Sequence, residues 1–184
     1  MGNAGKWERW YAKATERAPY GDATSYQAAE KHVQGLAIED WGCGTGWFQT
    51  IHAGPYRGVD GSWSRFADVV ADLAIYRSMT DAVLLRHVLE HNYEWRAIAA
   101  NAFASAPLVV VVLFTPIAEE QTEIAWNNQI GIPDLALPLD ELAQIATKNG
   151  HSLVDHETLR TATQYKAERV LVFKRQPAAT RVTS

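Results

Sequence analysis

From Pro107 to Phe114 the chain reads "PLVVVVLF", with four valines in succession. The run is too short to cross a bilayer, which takes about 20 apolar residues. Its β-branched side chains suit a pleated strand. A strand that is apolar at every position, not at alternate ones, is fit for burial on both faces, as in the interior of a parallel sheet covered by helices.

The remaining segments supply such a sheet and its covering. Trp7, Trp10, Tyr11 and Ala14 recur at helical spacing, as do apolar positions in "SYQAAEKHVQGL" (25–36), so two helices are predicted before the first strand. Strands are predicted at 36–41, 56–60, 68–73 and 81–87. "GWFQTIHA" (46–53) opens a helix behind the first of them. "NYEWRAIAANAFASA" (92–106) is a helix leading into the valine run. The connection from 115 to about 138 is too long for a structureless loop, and "AEEQTEIAWNN" (118–128) predicts a short helix inside it. "LPLDELAQIATKNG" (137–150) is a helix with Asp140 as its cap and Gly150 as its stop. Strands at about 151–159 and 167–174 complete the chain. Strands alternating with helices predict an α/β fold, a doubly wound parallel sheet. The 184 residues suit one domain. It is expected to comprise an N-terminal helical cap (1–34), a core (35–175) and a flexible tail (176–184).

Ligands of such sheets bind beyond the carboxyl ends of the strands. Two acid-bearing segments fall there: "IEDWGCGTGWF" (38–48), with Asp40, Gly42, Gly44 and Gly46, and "YRGVDGS" (56–62), with Asp60. Glycines let a backbone approach its ligand and take positive φ. An acid ending the second strand can accept from both hydroxyls of a ribose, in charge-assisted bonds of about 1.5–3 kcal/mol each. A dinucleotide fingerprint also joins glycines to a distant acid. Here, however, Trp47 fills the place of its third glycine, where an indole obstructs close helix–strand packing. The carboxylate of Asp40 at the loop mouth repels a pyrophosphate and favours a cationic ammonium or sulfonium. No Gly-Lys-Ser or Gly-Lys-Thr is present for a P-loop.

"EDWGCGTG" with "YRGVDGS", followed by "ADL" (71–73) and "LRHVLEHN" (85–92), resembles the class I S-adenosylmethionine-dependent methyltransferases. The likeness runs from about residue 26 to 174. It implies a seven-stranded sheet whose last strand is antiparallel, and S-adenosyl-L-methionine as cofactor. It places Asp40, Gly42, Cys43, Gly44 and Gly46 around the methionine moiety, and Asp60 on the ribose with Gly61 and Ser62 beside it. Asp72 matches the acid after the third strand, with Leu73 beside the adenine. Arg86 and His87 match the segment lining the methyl-donor cleft. The "RHVLEHNYEWR" segment with "LFTP" looks like a small bacterial group of this class. The chain departs from the commonest pattern at "FASAPLVVV", which lacks a Leu-Lys-Pro-Gly-Gly turn, so the acceptor does not carry over.

The acceptor is narrowed by exclusion. A formal charge of −4 and scattered Lys and Arg argue against a nucleic-acid partner. C5-pyrimidine methylation needs a cysteine nucleophile, and the sole cysteine, Cys43, lies in the glycine loop. No Asn-Pro-Pro-Tyr or Asp-Pro-Pro-Tyr follows the fourth strand. A small molecule, sugar or lipid-linked intermediate methylated at oxygen or nitrogen is therefore expected. Its pocket is expected to draw on Tyr20, Tyr26, Trp126 and Asn127, under an aromatic lid that includes Trp7 and Tyr11. His87 and His91 are the candidate catalytic groups: a hydroxyl acceptor gains from a base, and a histidine titrating near 6.5 suits that task at neutral pH. No histidine spacing suggests a metal. The lone cysteine points to a reducing, cytoplasmic location, and no membrane partner is expected. Two other readings remain open on the residues alone: a non-catalytic binding subunit on the same fold, and a nicotinamide-dependent oxidoreductase.

Overall fold

The computed structural model describes residues 5–21 and 23–177. The expected tail therefore lies, from residue 178 on, outside the described residues. Seven strands form one sheet: β1 (Ile38–Trp41), β2 (Tyr56–Asp60), β3 (Val69–Val70), β4 (Ala82–Arg86), β5 (Leu108–Leu113), β8 (His151–Arg160) and β9 (Ala167–Arg175). Two more, β6 (Thr122–Asn127) and β7 (Ile132–Ala136), pair as a separate hairpin. The helices are α1 (Glu8–Tyr11), α2 (Thr24–Val33), α3 (Trp95–Ser105) and α4 (Leu139–Lys148).

The sheet order is β3-β2-β1-β4-β5-β9-β8. Strands β1 to β5 are mutually parallel, whereas β9 runs antiparallel to both β5 and β8. The valine run occupies the interior as its composition requires, every residue of β5 being buried. Alternate side chains serve opposite layers. Val109, Val111 and Leu113 join Trp95, Ile98 and Phe103 of α3 and Leu142 of α4, while Leu108, Val110 and Val112 join Tyr26, Ala29 and Val33 of α2. Strand order reverses between β1 and β4, which opens a crevice at their carboxyl ends, the usual ligand position in a doubly wound sheet.

Four local expectations are corrected. The helix expected at "GWFQTIHA" is a single 3₁₀ turn, Trp47–Thr50. Gly54 and Pro55 follow after three more residues, and a Cβ on Gly54 would come within 2.3 Å of Leu36 O, so the chain has no room to continue as helix. The third strand is only two residues long, because Asp72 turns the chain by accepting from the amides of Ala74, Ile75 and Tyr76. The short helix expected within 118–128 is the β6–β7 hairpin. Its turn is closed by Gly131 N on Asn127 O at 2.7 Å and by the Asn127 side chain on the amides of Gln129 and Ile130. Strand β7 is buried throughout, and that burial outweighs the weak helical signal upstream. Lastly, Asp140 does not cap α4. It lies in the first turn behind Pro138, where an acid still favours the positive end of the helix dipole. Gly150 does stop the helix region, at φ +76°.

Candidate active site

A cavity of about 710 Å³ opens at the carboxyl ends of β1, β2 and β4, a size suited to a small ligand. Gly42, Cys43 and Gly44 form part of its wall. Gly42, at φ +81°, serves packing: a Cβ there would strike Val88 Cγ2 at 2.4 Å. Gly44, at φ +56°, faces the cavity, and a Cβ there would meet the Tyr11 ring at 3.4 Å. The Cys43 thiol is turned to Gly58 and buried, which pushes its pKa far up. It is therefore no nucleophile at neutral pH.

Asp60 also lines the cavity, with Gly61 and Ser62. Its Oδ2 accepts from Gly44 N at 2.9 Å and its Oδ1 from Ser62 N at 2.8 Å. The β2 end and the glycine loop are thus tied through one carboxylate. Burial pushes Asp60 up to about 6, against the pull of these amides, so the group is ionised at neutral pH and acts as an acceptor only. Asp72, Leu73 and Arg86 also border the cavity.

Other expected residues lie elsewhere. Asp40 is not at the loop mouth. It is buried in β1 and accepts from the Tyr56 hydroxyl at 2.9 Å. Burial raises it to about 7, with Tyr56 opposing and the Asp60 charge adding to the rise. Gly46 turns away toward Phe66 and Arg17. Trp126 and Asn127 stand on the hairpin outside the cavity, Trp126 beneath the Lys6 ammonium at 5.9 Å. Tyr20 and Tyr26 do line the cavity, though Tyr26 is largely a platform for Arg86, whose guanidinium lies 3.8 Å above its ring.

The two histidines come together, but not on one helix face. His87 has φ +56° and is followed by a 3₁₀ turn, Leu89–His91. Both rings pack on Phe114, at 4.7 and 5.2 Å between centroids. Their electrostatics diverge. His87 lies 3.2 Å from Glu168 Oε2 without hydrogen-bond geometry, and both of its ring nitrogens are buried without a hydrogen-bond partner. Burial, with Arg86 alongside, drives its pKa down to about 4. The expectation of a base titrating near 6.5 at this position is thereby corrected. The Nδ1 of His91 instead lies 3.3 Å from Asp134 Oδ1 of β7 and 2.9 Å from Pro133 O. Burial opposes charge on His91, but these two partners outweigh it and the pKa is raised. Burial likewise opposes charge on Asp134, and the His91 contact overcomes it, so that the carboxyl is held low. Tyr165 donates to the other oxygen of Asp134 at 3.0 Å.

Two residues of this site, Glu168 and Asp134, escaped the sequence reading, and Tyr165 joins them here. Glu168 on β9 is fully buried and binds Arg86, whose guanidinium also holds Ser25 Oγ and Tyr20 O. Asp134 and Tyr165 come from the hairpin and from the turn before β9. All three lie far along the chain from the residues they hold, and no local spacing marks them.

No protein-family model matches the chain, and no curated protein matches it in sequence. Its fold is nonetheless shared with solved methyltransferase structures. The 1,6-didemethyltoxoflavin-N1-methyltransferase of Burkholderia thailandensis, solved with 1,6-didemethyltoxoflavin and S-adenosylhomocysteine bound, superposes with a TM-score of 0.67 at 13% identity, over 85% of this chain and 80% of that one. The magnesium protoporphyrin IX methyltransferase of Synechocystis, solved with S-adenosylhomocysteine bound, gives 0.62 at 16% identity over 93% of each chain. A methyltransferase from Streptomyces caelestis gives 0.62 at 13% identity, over 95% of this chain and 98% of that one. The chain thus has the Rossmann-like class I methyltransferase fold, mostly parallel with an antiparallel strand near one edge.

Proposed function

We propose that the protein is an S-adenosyl-L-methionine-dependent methyltransferase whose acceptor is a small molecule or a sugar-type compound, methylated at oxygen or nitrogen. One observation carries this reading: Asp60 at the end of β2, buried and tied to the Gly44 amide beside the switch point, inside a cavity of cofactor-and-substrate size. That carboxylate suits a vicinal diol. Gly44, with no side chain, allows the methionine moiety to approach the backbone, and Leu73 offers an apolar contact to adenine. The cofactor supplies an electrophilic methyl group on a sulfonium, and the protein's task is to align the acceptor with it. Two of the structures that share its fold support this reading: a 1,6-didemethyltoxoflavin-N1-methyltransferase and a magnesium protoporphyrin IX methyltransferase, each with S-adenosylhomocysteine bound.

Proton acceptance is assigned to His91. Pro133 O and Asp134 sit on its Nδ1 side, which fixes the proton there in the neutral ring. Asp134 orients the ring and raises its basicity. His87, neutral and with buried nitrogens, is a wall residue packed on Phe114. Calorimetry with S-adenosylmethionine, S-adenosylhomocysteine and NAD tests the cofactor assignment. Binding of both adenosyl compounds without NAD is expected, and binding of NAD alone overturns the assignment.

A further inference from the structure

Five aromatic rings close a circuit over the carboxyl ends of β4 and β5, on the far side of β1 from Asp60. Trp7 meets Tyr20 at 6.3 Å between centroids, Tyr20 meets His87 at 6.2 Å, and His87 meets Phe114 at 4.7 Å. Phe114 meets His91 at 5.2 Å, and His91 returns to Trp7 at 5.6 Å. None of these five pairs is stacked. Their planes are inclined by 44° to 90°, so the rings do not cover one another's faces. Trp7, Tyr20, His87 and His91 line the cavity, and Phe114 backs the two histidines. Both histidines are buried at the floor of this wall, whereas Tyr20 is 46% exposed at its rim.

We propose that this wall selects a flat aromatic acceptor bearing a hydroxyl, a phenol, whose ring lies against Trp7 and Tyr20 with its oxygen turned to His91. The inference rests on the methyltransferase reading and on His91 as proton acceptor. A sugar ring needs directed donors and acceptors around its edge, and this wall offers chiefly ring surface. The Asn92 amide beside it already donates to Val88 O at 2.6 Å. A cation also suits aromatic faces, but the Arg86 guanidinium lines the same cavity, 3.8 Å over the Tyr26 ring, and repels one. In the transfer, the phenol oxygen forms a bond to the methyl carbon as the carbon–sulfur bond breaks. The bonding pair stays on sulfur, which leaves as a neutral thioether, and the phenol proton passes to His91.

The test is calorimetry with β-naphthol on the protein saturated with S-adenosylhomocysteine. Binding of β-naphthol is expected, and none of methyl glucoside. Tyr20→Ala is expected to weaken β-naphthol about three- to tenfold, the worth of one aromatic contact. This variant keeps the Tyr20 carbonyl that accepts from Arg86, so the wall loses a ring and not its anchor. The His91 ring signals in NMR are expected to move when β-naphthol is added. Absence of β-naphthol binding, an unchanged affinity in folded Tyr20→Ala, or unmoved His91 signals overturns the proposal and leaves the cofactor assignment standing. Tighter binding of methyl glucoside or of phenyltrimethylammonium overturns it in favour of a sugar or a cation. Failure of S-adenosylhomocysteine itself to bind overturns the cofactor assignment, and the phenol with it.

Discussion

The proposed cofactor site turns on Asp60 and on the bare backbone of Gly44. Asp60→Ala is expected to weaken S-adenosylhomocysteine binding about 10- to 100-fold, through the loss of charge-assisted bonds of about 1.5–3 kcal/mol. The sheet is expected to persist, because Asp60 sits at a strand's open end. An unchanged dissociation constant in a folded Asp60→Ala protein removes the ribose assignment. Gly44→Val is expected to abolish binding outright. A β-branched residue resists φ near +56° and its side chain enters the space now filled by Tyr11. Full binding by a folded Gly44→Val protein, measured by calorimetry, shows that the loop does not contact the ligand. Both positions are legible from "WGCGTG" and "GVDGS" alone, because backbone conformation and strand-end chemistry are local properties. Asp40, one strand residue from the loop, shows where that legibility stops. Alternation along β1 sends its carboxylate to Tyr56 rather than to the cavity.

At the scale of elements, the β6–β7 hairpin matters most, because it brings Asp134 and Pro133 to His91. Removing the carboxylate while keeping the shape, as in Asp134→Asn, is expected to lower the His91 pKa, since Asp134 supplies two of the influences that raise it. A histidine titration followed by NMR reads this without any acceptor. An unmoved His91 midpoint in the variant means that the pair does not set the base. The same change shifts the pH limb of turnover. Activity that depends on neutral His91 rises as pH passes its pKa, so the limb moves to lower pH in Asp134→Asn. His87→Ala, by contrast, is expected to act through folding, as it removes a ring packed on Phe114 and beside Glu168. A folded His87→Ala protein that has lost single-turnover methylation, with His91→Gln active, reverses the two assignments. The segment "RHVLEH" identified the pair of histidines, and their opposite environments were set by partners that arrive from β7 and β9.

At the scale of the whole molecule, the buried acids give the fold a pH signature. Asp40 and Glu90 are pushed up to about 7 and Asp60 to about 6, in each case chiefly by burial. The folded protein therefore holds more protons than the unfolded chain between roughly pH 4.5 and 7, and stability falls as pH rises through that window. His91, also raised, acts in the same direction. His87 opposes them: its depressed pKa of about 4 means that stability is lost as pH falls below 6.5. With three carboxylates and His91 against the imidazoles of His87 and His151, the latter also lowered by burial, the protein is expected to melt at a higher temperature at pH 6 than at pH 8. Asp40→Asn, which keeps an acceptor for Tyr56, is expected to raise the melting temperature at pH 8 and flatten the difference. A larger difference in the variant contradicts the assignment of raised titration to Asp40. Among the described residues no helix is long and apolar enough to cross a membrane.

Everything that depends on neighbours along the chain was determined by the sequence. The unbroken apolar run at Leu108–Leu113 required a covered strand. The alternation of strands and helices required a doubly wound sheet. The glycines around Cys43, with an acid closing the next strand, required a cofactor crevice at the switch point. Tertiary structure alone decided which acids face that crevice and which are sealed beneath it, and why the 118–128 segment pairs as a hairpin when its local pattern suggested a helix. It also decided that Glu168 and Asp134 meet Arg86 and His91 across 82 and 43 residues of chain. The physical reason is the same in each case. Periodicity and backbone preference act over a few residues, whereas burial and charge pairing depend on which distant surfaces the folded sheet brings into contact.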